Sequence, residues 1–149
     1  MNLAIFQPDI PQNTGAIIRS CACFNVSLDI IHPASFTLSE KSLNRVAMDY
    51  ADKLIITEHN SWIDYKEKIH GRIILLSTHG KIDHSKFEFK INDNLLVGRE
   101  SAGVPDYVHS EVDEIIRIPM QKNTRSLNVS VASAIVMSEA NRQLNLVYK

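Results

Sequence analysis

Short apolar runs alternate along the chain with segments in which apolar residues recur every three to four positions. The runs predict six β-strands, at residues 3–6, 26–31, 53–57, 72–77, 95–97 and 115–118. The recurring pattern predicts helices at residues 13–24, 39–50, 61–68 and 127–146, with Ser61 as a cap for the third. Strands that are apolar on both faces and alternate with helices are typical of a parallel sheet covered on both sides. We therefore predict an α/β fold with a mostly parallel six-stranded sheet and helices on both faces.

The composition favours one globular domain over residues 1–149. Apolar residues make up 44% and charged residues 22%, which excludes a disordered or fibrous chain. The net charge of −1 argues against a general basic nucleic-acid binder, although it leaves room for a local basic patch. The N-terminus lacks the pattern of a signal peptide, and no apolar run reaches the roughly 18 residues that span a bilayer. We expect a soluble cytoplasmic protein that does not enter membranes.

The positions of the cysteines and histidines argue against metal binding. Cys21 and Cys23 are too few and too close together for a disulfide framework or a zinc site, so we expect both to be buried structural thiols. The six histidines form no pair with the spacing of metal ligands. We therefore predict no metal cofactor.

Four polar loops follow strands of the predicted sheet, and ligands bind beyond the carboxyl ends of the strands in such folds. The loop sequences are QPDIPQNTG, THGKIDH, GRESAGVP and PMQKNTRSLN. Each also has an ordinary structural interpretation: Asn13 or Thr14 caps a helix, Gly98 and Gly103 form a turn, and Ser126 caps the last helix. Neither a P-loop nor a GxGxxG fingerprint occurs in the sequence. Taken singly, none of these loops specifies a reaction.

Basic residues are concentrated around the same edge of the predicted sheet. Arg19 lies on the first helix, where a lone arginine is commonly a solvated surface charge. The other basic residues that join it are Arg45, Arg99, Arg117, Lys122 and Arg125. A nearly neutral chain that gathers cations at one edge is suited to attract a phosphodiester backbone there.

The last predicted helix is apolar around most of its circumference. Its apolar residues include Val129, Val131, Ala132, Ala134, Ile135, Val136, Met137 and Ala140. A helix of this kind is buried on more than one side, and one face of the sheet covers only part of it. We therefore predict a homodimer in which a second copy covers the remainder.

Three of the loops with their flanking elements together resemble the signature of the SPOUT class of S-adenosylmethionine-dependent RNA methyltransferases. The matching stretches are IFQPDIPQNTGAIIRSCA, LLVGRESAGVP and IRIPMQKNTRSLNVSVA, which occur in the family's order and at its spacing, and the match covers nearly the whole chain. Within the class, QPDIPQNTGAIIR and RIPMQKNTRSLN are most similar to the minimal tRNA (cytidine(34)-2'-O)-methyltransferases.

The resemblance implies a fold, a cofactor and a set of site residues. It implies that the C-terminal segment is threaded into a trefoil knot whose loops hold S-adenosylmethionine. It implies cofactor contacts at Leu76, Gly98, Ile118 and Ser126, with Thr78, Met120 and Leu127 as neighbours. It assigns catalysis or substrate placement to Asn13, Arg19, Glu100, Ser126 and Asn128.

The same resemblance implies methylation of a ribose 2'-hydroxyl in tRNA, at wobble position 34 of the anticodon loop. The chain is too small to enclose a tRNA, so recognition must use a local basic patch. The candidate residues for RNA binding are Arg19, Arg99, Lys122 and Arg125.

Several positions depart from the subfamily pattern. Arg99 and Ala102 replace a usual proline and a usual basic residue, Val131 replaces a common asparagine, and the first helix reads SCACF. Other functions therefore stay open: a non-catalytic RNA-binding module with the same fold, or a 2'-O-methyltransferase that acts on another tRNA or rRNA position. A flavodoxin-like or receiver domain is a third alternative, although Asp9 alone does not supply the acidic cluster of a receiver.

Overall fold

The computed structural model describes residues 1–37, 50 and 54–146. Its strands are β1 (Asn2–Phe6), β2 (Ser27–Ile31), β3 (Ile56–His59), β4 (Ile73–Leu76), β5 (Ile82–Asp83), β6 (Asn94–Val97) and β7 (Glu114–Arg117). Its α-helices are α1 (Pro11–Phe24), α2 (Trp62–Lys68), α3 (Asp106–Glu111) and α4 (Val129–Leu144), and a single 3₁₀ turn covers His84–Lys86. None of the helices in these ranges combines the length and the apolar character needed to cross a bilayer.

The strands form one sheet in the order β3-β2-β1-β6-β4-β7-β5, and every neighbouring pair is parallel. The central strands are apolar on both faces, as strands buried between two helical layers must be. The predicted α/β class is confirmed, but the sheet has seven strands rather than six. The additional strand, β5, contains only two residues and is too short to produce a periodic signal in the sequence.

Helices cover both faces of the sheet. On one face, α1 and α4 pack over a core that includes Leu3, Ile5, Leu95 and Val97. On the other face, α2 and α3 pack over a second core, whose buried members are Ala4, Phe6, Ile31, Trp62, Tyr65, Ile73, Leu75, Leu96 and Val108. Because all strands run the same way, their carboxyl ends lie along one edge, and the loops that leave this edge build the site described below.

Packing between α1 and α4 depends on buried sulfur atoms. The Cys21 Sγ atom lies 3.8 Å from the Met137 Sδ atom, and the Asn141 side chain donates a 3.1 Å hydrogen bond to the Phe24 carbonyl. Burial raises the pKa of the Cys21 thiol to about 12, so this cysteine is an inert packing residue. Cys23 is exposed, and the prediction that both thiols are buried was therefore wrong for Cys23.

Several helices begin at residues other than those predicted. Helix α1 begins two residues earlier than predicted, at Pro11, whose fixed φ and missing N–H suit the first helical position. The cap residue of α1 is Ile10, so neither Asn13 nor Thr14 caps it. Ser61 does cap α2, with its hydroxyl accepting a 3.1 Å hydrogen bond from the backbone N–H of Asp64. The predicted helix at residues 39–50 lies, apart from residue 50, outside the described residues.

Candidate active site

A cavity of about 550 Å³ opens at the carboxyl edge of the sheet. Its size is typical of a site for a small molecule or cofactor. Its walls come from the loops after β4, β6 and β7 and from the start of α4. All seven residues that the family resemblance assigns to the cofactor line it: Leu76, Thr78, Gly98, Ile118, Met120, Ser126 and Leu127.

Two glycines shape the loop after β6. The backbones of Arg99 and Gly103 exchange two hydrogen bonds, of 3.0 and 2.8 Å, which close the loop into a tight turn. A Cβ atom on Gly98 would lie 2.4 Å from the carbonyl carbon of Gly103, so the two backbone segments approach too closely for any side chain there. Gly103 itself has a φ of +63°, in the left-handed region that favours glycine. The two glycines are therefore required by the turn that forms one wall of the cavity.

The loop after β4 approaches β7 just as closely. The backbone N–H of Ser77 donates a 2.9 Å hydrogen bond to the carbonyl of Ile116, and that of Gly80 donates a 3.1 Å bond back to Ser77. A Cβ atom on Gly80 would lie 2.5 Å from the carbonyl carbon of Ile116. This contact fixes Thr78 and the Ile118 segment on adjoining walls of the cavity.

Asn13, Glu100 and Asn128 form a hydrogen-bonded cluster beside the cavity. The Asn128 Nδ2 atom donates to Asn13 Oδ1 at 2.9 Å and to Glu100 Oε1 at 3.4 Å. Glu100 also lines the cavity, so the cluster and the cavity form one continuous site. The three residues come from α1, the loop after β6 and the start of α4, and the structure brings them together.

The other end of the Asn128 amide caps helix α4. The Asn128 Oδ1 atom accepts hydrogen bonds from the backbone N–H groups of Ser130 (2.9 Å) and Val131 (3.4 Å). Asn128, rather than Ser126, is therefore the cap of the last helix, which begins at Val129 instead of the predicted residue 127. Since the cap fixes the direction of the amide, the Nδ2 atom can only point toward the cluster.

Replacing Asn128 with alanine removes both functions of this amide. We expect the free energy of unfolding to fall by about 0.5–2 kcal/mol because the helix cap is lost. We also expect activity to fall, because Asn13 and Glu100 lose their shared donor. Chemical denaturation measures the first effect and single-turnover kinetics the second. Asn128→Asp is the matched control: it keeps the cap but cannot donate, so recovery of both stability and activity in this variant would contradict the account.

Arg19 lies outside this cluster. It lies on the exposed side of α1, and its guanidinium carbon is 5.6 Å from the centroid of the Tyr50 ring, a cation–π distance. Arg19 is not among the residues that line the cavity in the described part of the chain. Of the residues that the resemblance assigns to catalysis or substrate placement, Asn13, Glu100 and Asn128 meet in one cluster and Arg19 lies outside it. Their roles stay a prediction.

The predicted basic patch is only partly assembled. Arg99 lines the cavity, with its guanidinium carbon 5.9 Å from the centroid of Phe6. Lys122 and Arg125 are exposed on the loop that precedes Ser126. Arg117 pairs instead with Asp83 at 2.8 Å, a hydrogen bond that holds the pKa of this carboxyl below its usual range. Arg45 lies outside the described residues.

Further polar residues that were not predicted as site residues also line the cavity. Asp106 and His109 contribute from α3, and His79 contributes from the loop after β4. Helix α3 has only six residues, less than two turns, so its sequence carries no recognisable period. Within residues 1–37, 50 and 54–146, no three His, Cys, Asp or Glu side chains are grouped so that they could hold a metal ion.

Comparisons with known proteins agree with this geometry. The model of the SpoU rRNA Methylase family matches residues 1–138. A tRNA (cytidine(34)-2'-O)-methyltransferase of Beijerinckia indica is 43% identical over 150 residues, which cover 99% of this chain and 94% of the relative. A solved structure concerned with the 2-OH methylation of C/U34 on tRNA superposes with a TM-score of 0.92 at 34% identity, covering 97% and 95% of the two chains.

A more distant solved structure carries a cofactor. The SpoU methyltransferase AviRb from Streptomyces viridochromogenes, in complex with AdoMet, superposes with a TM-score of 0.85 at 25% identity. The match covers 97% of this chain and 60% of AviRb. The resemblance stated from three sequence motifs is thus confirmed at the level of the family.

Proposed function

Because the chain belongs to the SpoU rRNA methylase family, we propose that it transfers a methyl group from S-adenosylmethionine to a ribose 2'-hydroxyl of tRNA at position 34. One observation carries the proposal. The cavity lined by the seven expected cofactor positions opens beside the hydrogen-bonded cluster of Asn13, Glu100 and Asn128. Transfer of a small group to a macromolecule requires a pocket for the cofactor and, beside it, a polar surface that the macromolecule can reach.

The residues of the cavity fit S-adenosylmethionine. Leu76, Ile118 and Leu127 offer apolar surface to the adenine ring, while the loops around Gly98 and Ser126 offer backbone and hydroxyl groups to the polar parts. When bound, the cofactor supplies a methyl group activated by a positively charged sulfur. The contribution of the chain is positioning, since alignment of donor and acceptor can provide several kcal/mol of the barrier reduction.

The acceptor hydroxyl must lose its proton as the new bond forms. A guanidinium stays protonated in proteins, so Arg19 serves in this proposal as a cation and not as the base. It binds the phosphate adjacent to the target ribose and stabilises the negative charge that develops on the 2'-oxygen. The proton passes to that phosphate or to water. Asn13, Glu100 and Asn128 hold the ribose in place.

We propose that the active enzyme is a homodimer with its active site near the interface. Three exposed apolar side chains lie within three residues of Asn13 or Asn128 in the sequence: Ile10 (36% exposed), Leu127 (37%) and Val131 (47%). Apolar surface at the edge of a polar site is suited to burial by a second copy. Because Arg19 lies outside the cluster of its own chain, the second copy would also complete the site by supplying its Arg19. Light scattering at micromolar concentration should give twice the mass of one chain; a monomer would contradict this proposal.

The same family membership supports two further proposals. We propose a cytoplasmic location, where tRNA is the available substrate. We propose also that the loops after β6 and β7 belong to a trefoil knot formed by the C-terminal segment, as in the family that the sequence resembles.

Removing two exposed cations tests how tRNA is recognised. The double variant Lys122→Ala/Arg125→Ala should bind tRNA more weakly. Its slope of log Kd against log salt concentration should be smaller by about 1 to 2, because two fewer cations contact phosphates. The physical reason is that each cation displaces counterions from the RNA backbone. Filter binding across a salt series measures both effects. The matched control is the exposed Lys68→Ala/Lys90→Ala pair, whose residues precede β4 and β6 at the opposite edge of the sheet. Equal losses in the two double variants would contradict a local patch.

The function itself is tested by mass spectrometry of tRNA nucleosides with and without the gene. We expect a 2'-O-methylated nucleoside at position 34 to disappear from a subset of tRNAs when the gene is removed and to return with the intact gene. A protein that binds tRNA but leaves all 2'-O-methylated nucleosides unchanged would instead be a non-catalytic binding module.

A further inference from the structure

Asp9 connects the loop after β1 to the glycine turn after β6. The Asp9 Oδ1 atom accepts a hydrogen bond from the backbone N–H of Glu100 at 3.3 Å. The Oδ2 atom accepts two more, from the backbone N–H of Ser101 at 3.3 Å and from the Ser101 hydroxyl. Both oxygens of one carboxylate are thus committed to two consecutive residues that lie 91 and 92 positions away in the sequence.

These contacts hold the backbone from which the Glu100 side chain projects. The two hydrogen bonds between Arg99 and Gly103 close the base of the turn, whereas Asp9 accepts from the backbone N–H groups of Glu100 and Ser101 at its outer end. Glu100 projects from that outer end toward Asn128, whose amide donates to Glu100 Oε1. Asp9 also directly precedes Ile10, the cap residue of α1, so it links the helix that carries Asn13 to the turn that carries Glu100.

The carboxylate of Asp9 is held in its charged form. Burial by itself would raise the pKa of Asp9, but the hydrogen bonds from Ser101 and Glu100 outweigh this effect and leave the pKa below its usual value. Hydrogen bonds to a charged acceptor are stronger than neutral ones. Asp9 is not among the described residues that line the cofactor cavity, so its contribution has to pass through the turn.

We propose that Asp9 is a positioning residue for the methyl transfer: its carboxylate fixes the Glu100–Ser101 peptide and thereby sets the Glu100 carboxylate against Asn13 and Asn128. This inference rests on the proposed methyltransferase function for its kinetic consequences. It assigns a role to a side chain that the motif comparison passed over. Asp9 does not contact the reacting atoms in this account.

The test is a double-mutant cycle between Asp9 and Glu100. Asp9→Ala should lower kcat for tRNA methylation by about tenfold, a loss typical of a missing hydrogen bond to a charged group, while the KM values change by less than about threefold. In a Glu100→Ala background the same change should lower kcat less than twofold, because the group that Asp9 positions is already gone. Ser101→Ala removes one of the three donors to Asp9, so its kcat should lie between that of Asp9→Ala and that of the unaltered protein. Equal losses in both backgrounds would overturn the proposal.

A second measurement does not depend on activity. Hydrogen exchange at residues 98–104 should become faster in Asp9→Ala, because the amides of Glu100 and Ser101 lose their acceptor. The matched control is Asp64→Ala. The Asp64 carboxylate also accepts from a backbone N–H group, that of Asn60, but on the opposite face of the sheet from α1. This variant should leave both hydrogen exchange at residues 98–104 and kcat unchanged. If the unaltered protein methylates no tRNA, the proposed function fails and exchange alone decides the Asp9 contact. Unchanged exchange in Asp9→Ala overturns the proposal in either case.

Discussion

Replacing Arg19 with alanine should slow single-turnover methylation of tRNA by about 10²–10³-fold, or roughly 2.7–4 kcal/mol, the usual cost of losing one donor aimed at developing charge. The affinity for S-adenosylmethionine should change by no more than a few fold. The reason is positional: Arg19 is exposed on α1, while the cavity walls come from loops after β4, β6 and β7. Calorimetry for the cofactor and rapid quench for the reaction measure the two effects separately.

Two variants serve as controls for Arg19. Arg19→Lys should recover little activity, because an ammonium group cannot reproduce the planar bidentate contact of a guanidinium with phosphate. Ser126→Ala should weaken cofactor binding as well as the reaction, because Ser126 lines the cavity. If Arg19→Ala abolishes cofactor binding, or methylates at nearly the original rate, Arg19 is not the catalytic cation. Glu100 and Asn128 would then be the remaining polar groups to test.

Replacing Gly98 with alanine should weaken the binding of S-adenosylmethionine by about 10- to 100-fold, which corresponds to the 1–3 kcal/mol typical of an overpacked site. The new methyl group would lie 2.4 Å from the carbonyl carbon of Gly103, so the turn must open, and the turn is a wall of the cavity. Isothermal titration with S-adenosylmethionine measures the change directly.

Gly103→Ala is the matched control for this experiment. No atom lies within 4 Å of a Cβ built at Gly103, so the substitution carries only the cost of a left-handed backbone, about 1–2 kcal/mol. Part of this cost falls on folding rather than on binding, and we expect cofactor affinity to fall less than in Gly98→Ala. The opposite order of the two affinities would contradict the close-packed turn as the determinant of the cavity wall.

Much of the fold is encoded in local patterns, which explains why the sequence predicted it. The central strands β1, β4 and β6 are buried on both faces and therefore contain the apolar runs LAIF, IILL and LLV. The short elements β5 and α3 were missed, since two and six residues are too few to display a period. The seven positions that the resemblance assigns to the cofactor come from separate loops, and all seven line one cavity. Their contact with a cofactor stays a prediction.

Contacts between distant parts of the chain could not be predicted in the same way. The ordinary interpretation of Asn13 or Thr14 as a helix cap followed from residue type and position alone, yet the Asn13 side chain accepts from Asn128, which is 115 positions away. Asp9 was considered only as a lone acidic residue that does not make a receiver site, and its partners lie in the loop after β6, 91 and 92 positions later in the sequence. Long-range pairing of this kind leaves no local signal in the sequence, because asparagine and aspartate are also common in ordinary turns.

The most direct measurement is methyl transfer to a tRNA that carries a single 2'-deoxycytidine at position 34. With labelled S-adenosylmethionine and purified protein, the unaltered tRNA should accept about one methyl group per molecule, whereas the 2'-deoxy tRNA should accept none while still binding with similar affinity. This result would place the methyl group on the ribose 2'-oxygen of that nucleotide. Equal labelling of the two tRNAs would contradict the account, because the methyl group would then have gone to a base or to another nucleotide.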